Sequence, residues 1–173
     1  MDMVRGCLLE KRPFGVCLVR ESTKIGSVVP PELIGTLATI GECDMQQLGV
    51  LHIMTRGSSR FRIVDSSMHP EHYIQAKVEL IEDDASVPVP AEFIASAAIL
   101  EIMVERIEKK FVAEPYDYDN ATWVANRLCE LLPIPMRAKQ KLLELTDGKI
   151  RLSLVHQYLA KQGLIKNGGS DEE

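Results

Sequence analysis

The sequence predicts an α+β fold. A small curled antiparallel β-barrel or sheet is expected over residues 1–84, a four-helix bundle over residues 85–166, and a disordered tail over residues 167–173. Three observations carry this. Short alternating segments rich in glycine crowd the first half. An acidic, proline-containing stretch (EDDASVPVPA) occupies residues 82–91. Beyond it the apolar residues recur at spacings of 3 and 4. No helix-length segment separates the strands, which excludes a doubly wound sheet.

Residues 1–10 (MDMVRGCLLE) suit a short helix with Met3, Val4, Cys7 and Leu8 on one side, ended by Arg12-Pro13. Residues 14–19 (FGVCLV) form an almost continuous apolar run, which predicts a strand buried on both faces. A loop with Gly26 and Pro30-Pro31 follows. Residues 34–45 (IGTLATIGECDM) resume alternation, and Gly41 inside them predicts a bulge or sharp bend. Residues 49–64 (GVLHIMTRGSSRFRIV) read as a hairpin: Leu51, Ile53 and Thr55 alternate with Val50, His52 and Met54. Arg56-Gly57-Ser58-Ser59 offers a turn, and residues 60–64 return. Residues 73–81 (YIQAKVELI) give a further strand.

Residues 92–110 then read as one long helix, with Phe93, Ala97, Leu100, Val104 and Ile107 as its apolar stripe and Glu105 paired with Lys109. Asp119 or Asn120 can cap a helix to about Leu132, carrying Val124, Leu128, Leu131 and Leu132 inward. Pro135 suits the first turn of a helix through Leu145. Thr146 or Asp147 caps the last helix, which ends near Gly163 with Ile150, Leu154, Val155 and Tyr158 as apolar positions.

Composition narrows the function classes. Of 173 residues, 46% are hydrophobic and 26% charged, as in ordinary globular proteins. The net charge of −5 counts against nucleic acid as a partner. Residues 1–82 hold 9 basic and 10 acidic side chains and the remainder 11 and 15, so neither part is basic. Cys7, Cys17, Cys43 and Cys129 lie outside any C-x-x-C spacing and read as reduced thiols of a cytoplasmic protein. No run reaches the roughly 18 apolar residues of a membrane span.

Four pieces of the sequence, in order, resemble the Lon substrate-binding domain, the N-terminal domain of the ATP-dependent Lon protease, which also occurs alone in small bacterial proteins. Residues 1–19 are similar to its helix-then-strand segment. Residues 34–40 (IGTLATI) are similar to its G-T-x-A-x-I strand. Residues 49–63 match a strand, a glycine turn and an R-F-x-I return. Residues 128–154 contain Lys139-Gln140-Lys141-Leu142-Leu143-Glu144 and Arg151-Leu152, similar to the helical end where K-Q-x-L-L-E recurs. The resemblance implies a PUA-like β-domain followed by helices. The family usually begins earlier, with an L-P-L-F-P-L strand, a Pro-Gly turn, a second strand and F-E-x-R-Y. The sequence here starts after these, so an open strand edge is expected, prone to self-association.

Within these residues no G-x-x-x-x-G-K-[ST] string holds phosphate and no G-x-S-x-G presents a nucleophile. His69-Pro70-Glu71-His72 lacks the helical spacing and the third ligand of a zinc site, and reads as a solvated loop. Asp83-Asp84 reads as linker and Asp117/Asp119 as helix cap rather than as a carboxylate pair for acid–base work. Cys17, in an apolar strand, reads as core rather than nucleophile. No catalytic residue, metal or cofactor is assigned.

Candidate ligand residues are Arg60, Phe61, Tyr116, Tyr118 and Trp123. Each also has a packing explanation: Arg60 anchoring a turn, Phe61 filling the β-domain, Trp123 filling the bundle. The expected function is a non-enzymatic module that binds unfolded or exposed protein segments, with the aromatics lining a groove between β-domain and bundle. The alternative is a PUA-like RNA binder using Arg56, Arg60, Arg62 and Lys77, which the acidic balance opposes.

Overall fold

The computed structural model describes residues 2–20, 30–47, 49–70, 73–108 and 111–166, apart from the side chains of Asp2 and Gln46. Expectations for Gly26, Glu71, His72, the Glu105–Lys109 pair and the tail 167–173 lie outside the described residues. The chain divides into two units, Met1–Asp83 and Asp84–Glu173.

In the first unit, helix α1 (Asp2–Glu10) buries Cys7. Lys11 adopts a φ of 50° and the Arg12 N–H donates to the Cys7 carbonyl at 3.1 Å, which closes the last turn before Pro13. Strands β1 (Phe14–Val16), β2 (Ile34–Gln47), β3 (Val50–Met68) and β4 (Ile74–Leu80) form an antiparallel sheet in that order. β1 is therefore an edge strand of three residues with Val16 half-exposed, not the doubly buried strand the apolar run predicts. The apolar pattern cannot distinguish a strand covered on both faces from one lying at an edge.

The predicted hairpin is also displaced. Arg56–Ser59 make no turn; β3 runs straight through them. Thr36 pairs with Arg60 but Ala38 with Gly57, so β3 carries one residue more than β2 and absorbs the small residues as a bulge. The Ser58 hydroxyl donates to the Leu37 carbonyl at 3.3 Å. The chain instead reverses at Gly49, whose φ of 85° suits glycine, between the paired Gln47 and Val50. Gly41 is the extra residue on β2 between Ile40–Thr55 and Glu42–Met54, the bulge its position predicts.

Phe61, 2% exposed, explains Gly15 and, together with the nearer Val16 carbonyl and Cys17 Sγ, Gly35. It pairs with Gly35 on β2, and a Cβ on Gly35 would stand 2.7 Å from the ring; one on Gly15 of β1 would stand 2.8 Å from it. The ring thus lies across three strands on a floor that only glycines leave open. Ile34, Ala38 and Ile63 complete the buried apolar set with Cys7.

The second unit is helical: a 3-10 turn (Ala91–Phe93), α2 (Ile94–Arg106), α3 (Ala121–Leu131), α4 (Met136–Glu144) and α5 (Gly148–Lys161). The predicted helix over 92–110 ends early, at Arg106; Ile107 is extended, and Val112 beyond it is buried in the core. Asn120 caps α3 by accepting the Thr122 and Trp123 N–H groups, Pro135 precedes α4, and Asp147 caps α5 through the Ile150 N–H. α5 approaches α3 so closely that a Cβ on Gly148 would stand 1.9 Å from Thr122 Oγ1. The inward face of α5 is Gly148, Arg151, Leu152, Val155 and Leu159, whereas Ile150 and Leu154, two of its apolar positions, are exposed. Arg151 is a charged side chain turned inward, 3% exposed.

Candidate functional site

Arg151, on α5, makes four side-chain hydrogen bonds. Its Nη1 donates to Asp84 Oδ2 at 2.6 Å and to Asn126 Oδ1 at 3.1 Å; its Nε donates to the Leu142 carbonyl at 2.9 Å and its Nη2 to the Leu145 carbonyl. Both charged side chains of the Asp84–Arg151 pair are 3% exposed. The reading of Asp84 as a solvated linker carboxylate is therefore corrected: it neutralises a buried guanidinium that also satisfies carbonyls at the end of α4. Each of the three guanidinium nitrogens has a protein partner, so this network holds the unit together rather than offering a site.

Ser96 and His156 also escaped the sequence reading. Ser96 Oγ lies 2.8 Å from His156 Nδ1, and the imidazole packs against Phe93 with ring centroids 5.1 Å apart. Ser96 has no exposed surface, so no substrate reaches its hydroxyl. Burial pushes the Cys17 thiol up, and pushes Cys129 up to about 11 against the opposing pull of Arg151 and Lys139. Neither is an activated nucleophile.

An open surface groove of about 500 Å3 lies elsewhere in the same unit. It follows from three local features. Residues 87–89 run extended beside the start of α3: the Val89 N–H donates to the Asp119 carbonyl and the Ala121 N–H to the Val87 carbonyl, both at 2.8 Å. This presents Pro88 and Val89. The outer side of α2 supplies Ile94, Ala97, Ala98 and Glu101, because α2 is apolar on more than its buried stripe. The loop before α3 supplies Tyr118 and Asp119. Asn120 fixes that loop, since its Nδ2 donates to Asp117 Oδ2 at 3.0 Å and Ser86 Oγ at 2.9 Å while its Oδ1 caps the helix.

The three aromatic residues singled out in this half come together here. Trp123 meets Tyr118 edge-on at 5.3 Å and Tyr116 at 6.3 Å, and the tyrosine rings are 5.9 Å apart. Only Tyr118 lines the groove; the other two brace it. Burial first, then Glu101, Tyr116 and Glu105, hold the Tyr118 phenol above its ordinary range. Arg60 and Phe61 belong to the first unit, where Phe61 is taken up by the sheet and Arg60 is half-buried opposite Thr36. His69 stacks on Tyr73 at 4.3 Å. Among the described residues no group of three His, Cys, Asp or Glu could hold a metal ion, and no helix is long and apolar enough to cross a membrane.

Comparison with known proteins places this architecture. The profile of the ATP-dependent protease La (LON) substrate-binding domain matches residues 1–161. The chain belongs to the LON substrate-binding domain family. Its fold matches the crystal structure of a Lon N-terminal domain protein from Xanthomonas campestris, with a TM-score of 0.71 and 31% identity, over 92% of this chain and 81% of that one. The N-terminal domain of Mycobacterium avium complex Lon protease shares the fold at 15% identity and a TM-score of 0.51, over 86% of this chain and 91% of that one. Lon protease 1 of Bacillus subtilis is 26% identical over 136 residues, which are 73% of this chain but only 17% of that protease. The α+β fold read from the sequence is thus that of Lon N-terminal domains. In this family member, the G-T-x-A-x-I and R-F-x-I strings meet as Gly35 and Phe61, and K-Q-x-L-L-E lies on α4 with Gln140 and Leu142 buried.

Proposed function

We propose that this chain is a non-catalytic recognition module that binds exposed segments of other proteins. The observation that carries the proposal is the apolar groove at Tyr118: it is open and braced by rings, and it is of a size for peptide side chains. Membership of a substrate-binding family supports it. So does the chemistry of the unit, in which the serine paired with histidine is sealed and burial holds the Cys129 thiol protonated.

An RNA-binding role has less behind it. Of the four basic residues it needs, Arg62 and Lys77 stand opposite Glu79 and Asp65 in the strand register, which cancels much of their field.

Peptide arrays drawn from unrelated proteins, probed with the full chain, test the module directly. Binding to apolar segments is expected, and it should fall when Ala98→Trp fills the groove. Arrays without bound segments, or binding indifferent to that substitution, would remove the groove from the function.

A further inference from the structure

The groove is not uniformly apolar, and the distribution of charge around it says more about its occupant. Ile94, Ala98, Glu101 and Glu105 follow one another at spacings of 4, 3 and 4, so they form one stripe along the outer side of α2. The apolar pair sits toward the N-terminal end of the helix and the carboxylates toward the C-terminal end, where the helix dipole adds negative potential. Asp119 joins Glu101 as the second exposed carboxylate lining the groove, on a backbone held by its bond to Val89. The Tyr118 phenol is raised chiefly by burial, with Glu101 and Glu105 adding to it.

The backbone limits how a partner is held. In the bridge between Pro88 and Asn120, the Val87 carbonyl accepts from Ala121 and the Val89 N–H donates to Asp119. The outward positions on that segment are Pro88 and Pro90, neither of which has an N–H to offer an added strand. These prolines offer an occupant no backbone donor, so its recognition falls chiefly on side chains.

We infer that the groove selects a segment carrying an apolar side chain next to lysine or arginine, with the apolar group against Ile94, Ala98 and Tyr118 and the cation at Glu101 and Asp119. This rests on the peptide-binding reading above and gives it a sequence preference. The charge is at an exposed rim, so it acts mainly on selectivity and salt dependence.

The test uses three labelled peptides with one central phenylalanine flanked by Lys, Gln or Glu, titrated into the full chain by fluorescence anisotropy at low and high salt. The Lys-flanked peptide should bind about tenfold more tightly than the Gln-flanked one, with Glu-flanked weakest, and salt should shrink the spread. Glu101→Gln with Asp119→Asn should bring the Lys and Gln peptides within about threefold of each other while leaving the circular dichroism unchanged. Equal binding of all three peptides, or a preference that survives the double substitution, overturns the charge selection and leaves peptide binding intact. Failure of every peptide to bind overturns both.

Discussion

In Asp84–Glu173 thirteen apolar residues among those described form one buried cluster drawn from all four α-helices and the loops between them. In Met1–Asp83 the described residues supply five buried apolar side chains, and Phe61 is the only large aromatic among them. Among the described residues, twelve large apolar side chains stand exposed in the first unit against seven in the second. The helical unit therefore has redundancy: losing one contact leaves many. The sheet depends on its backbone ladders and on one ring laid over two glycines. The difference teaches where each unit is vulnerable, a buried charge in one and a single aromatic in the other.

The largest effect expected is that of Arg151→Met. It removes the cation paired with the buried Asp84 side chain and the donors to the Leu142 and Leu145 carbonyls. A loss of about 3–5 kcal/mol is expected in urea unfolding followed by helical signal. Adding Asp84→Asn should restore part of it, because the buried carboxylate is then gone. If Arg151→Met alone is neutral, the network is not what distinguishes the helical unit.

Phe61→Ala strikes the other unit. Emptying the site over Gly15 and Gly35 should cost about 3 kcal/mol, read as lost hydrogen-exchange protection of the β2 and β3 amides. Phe61→Leu should recover about half. A loss no greater than that of Phe14→Ala, at the half-buried edge position, would contradict the dependence of the sheet on this ring.

These two residues also show what the sequence could and could not reveal. Fold-determining contacts leave strong local patterns. Gly35 and Phe61 lie within strings that mark the family, and Arg151-Leu152 follows the K-Q-x-L-L-E helix, so the family and the α+β architecture were legible. The caps at Asn120 and Asp147 were legible because capping is a matter of neighbouring residues. Strand reversal was misplaced because Gly57 and the serines have turn composition, and only pairing partners distinguish a bulge from a turn. The groove left almost no trace. Pro88 and Val89 read as linker and Ile94 and Ala98 as spare apolar residues of a helix, since nothing local says they will meet Tyr118. Asp84 looked solvated for the same reason: its partner is 67 residues away.

Alkaline pH should sharpen the comparison at a smaller scale. Cys129 rises from its ordinary 9.0 to about 11 because it is buried in the helical unit. The folded state then holds the proton more tightly than the unfolded state does. The stabilisation is complete below pH 9 and is lost as pH rises toward 11, by about 2 kcal/mol. Tyr118, also raised, acts in the same direction. Cys129→Ala should flatten this part of the pH profile after correction for its own packing loss. In thiol labelling of the native chain, exposed Cys43 should react well before Cys129.

The smallest effect on stability should fall on the residue that joins cap to groove. Asn120→Ala removes the acceptor for the Thr122 and Trp123 N–H groups and costs about 1 kcal/mol. It also removes the Nδ2 bonds to Ser86 and Asp117 that hold the loop bearing Tyr118. Asn120→Asp separates the two roles. An aspartate still caps the helix, so stability should change by only a few tenths of a kcal/mol. It cannot donate, and it repels Asp117, so the loop should loosen. Peptide affinity should then fall in Asn120→Asp nearly as far as in Asn120→Ala, although their melting curves differ. Affinity that follows stability instead would mean that the groove needs only a folded helical unit, not a loop set by one amide.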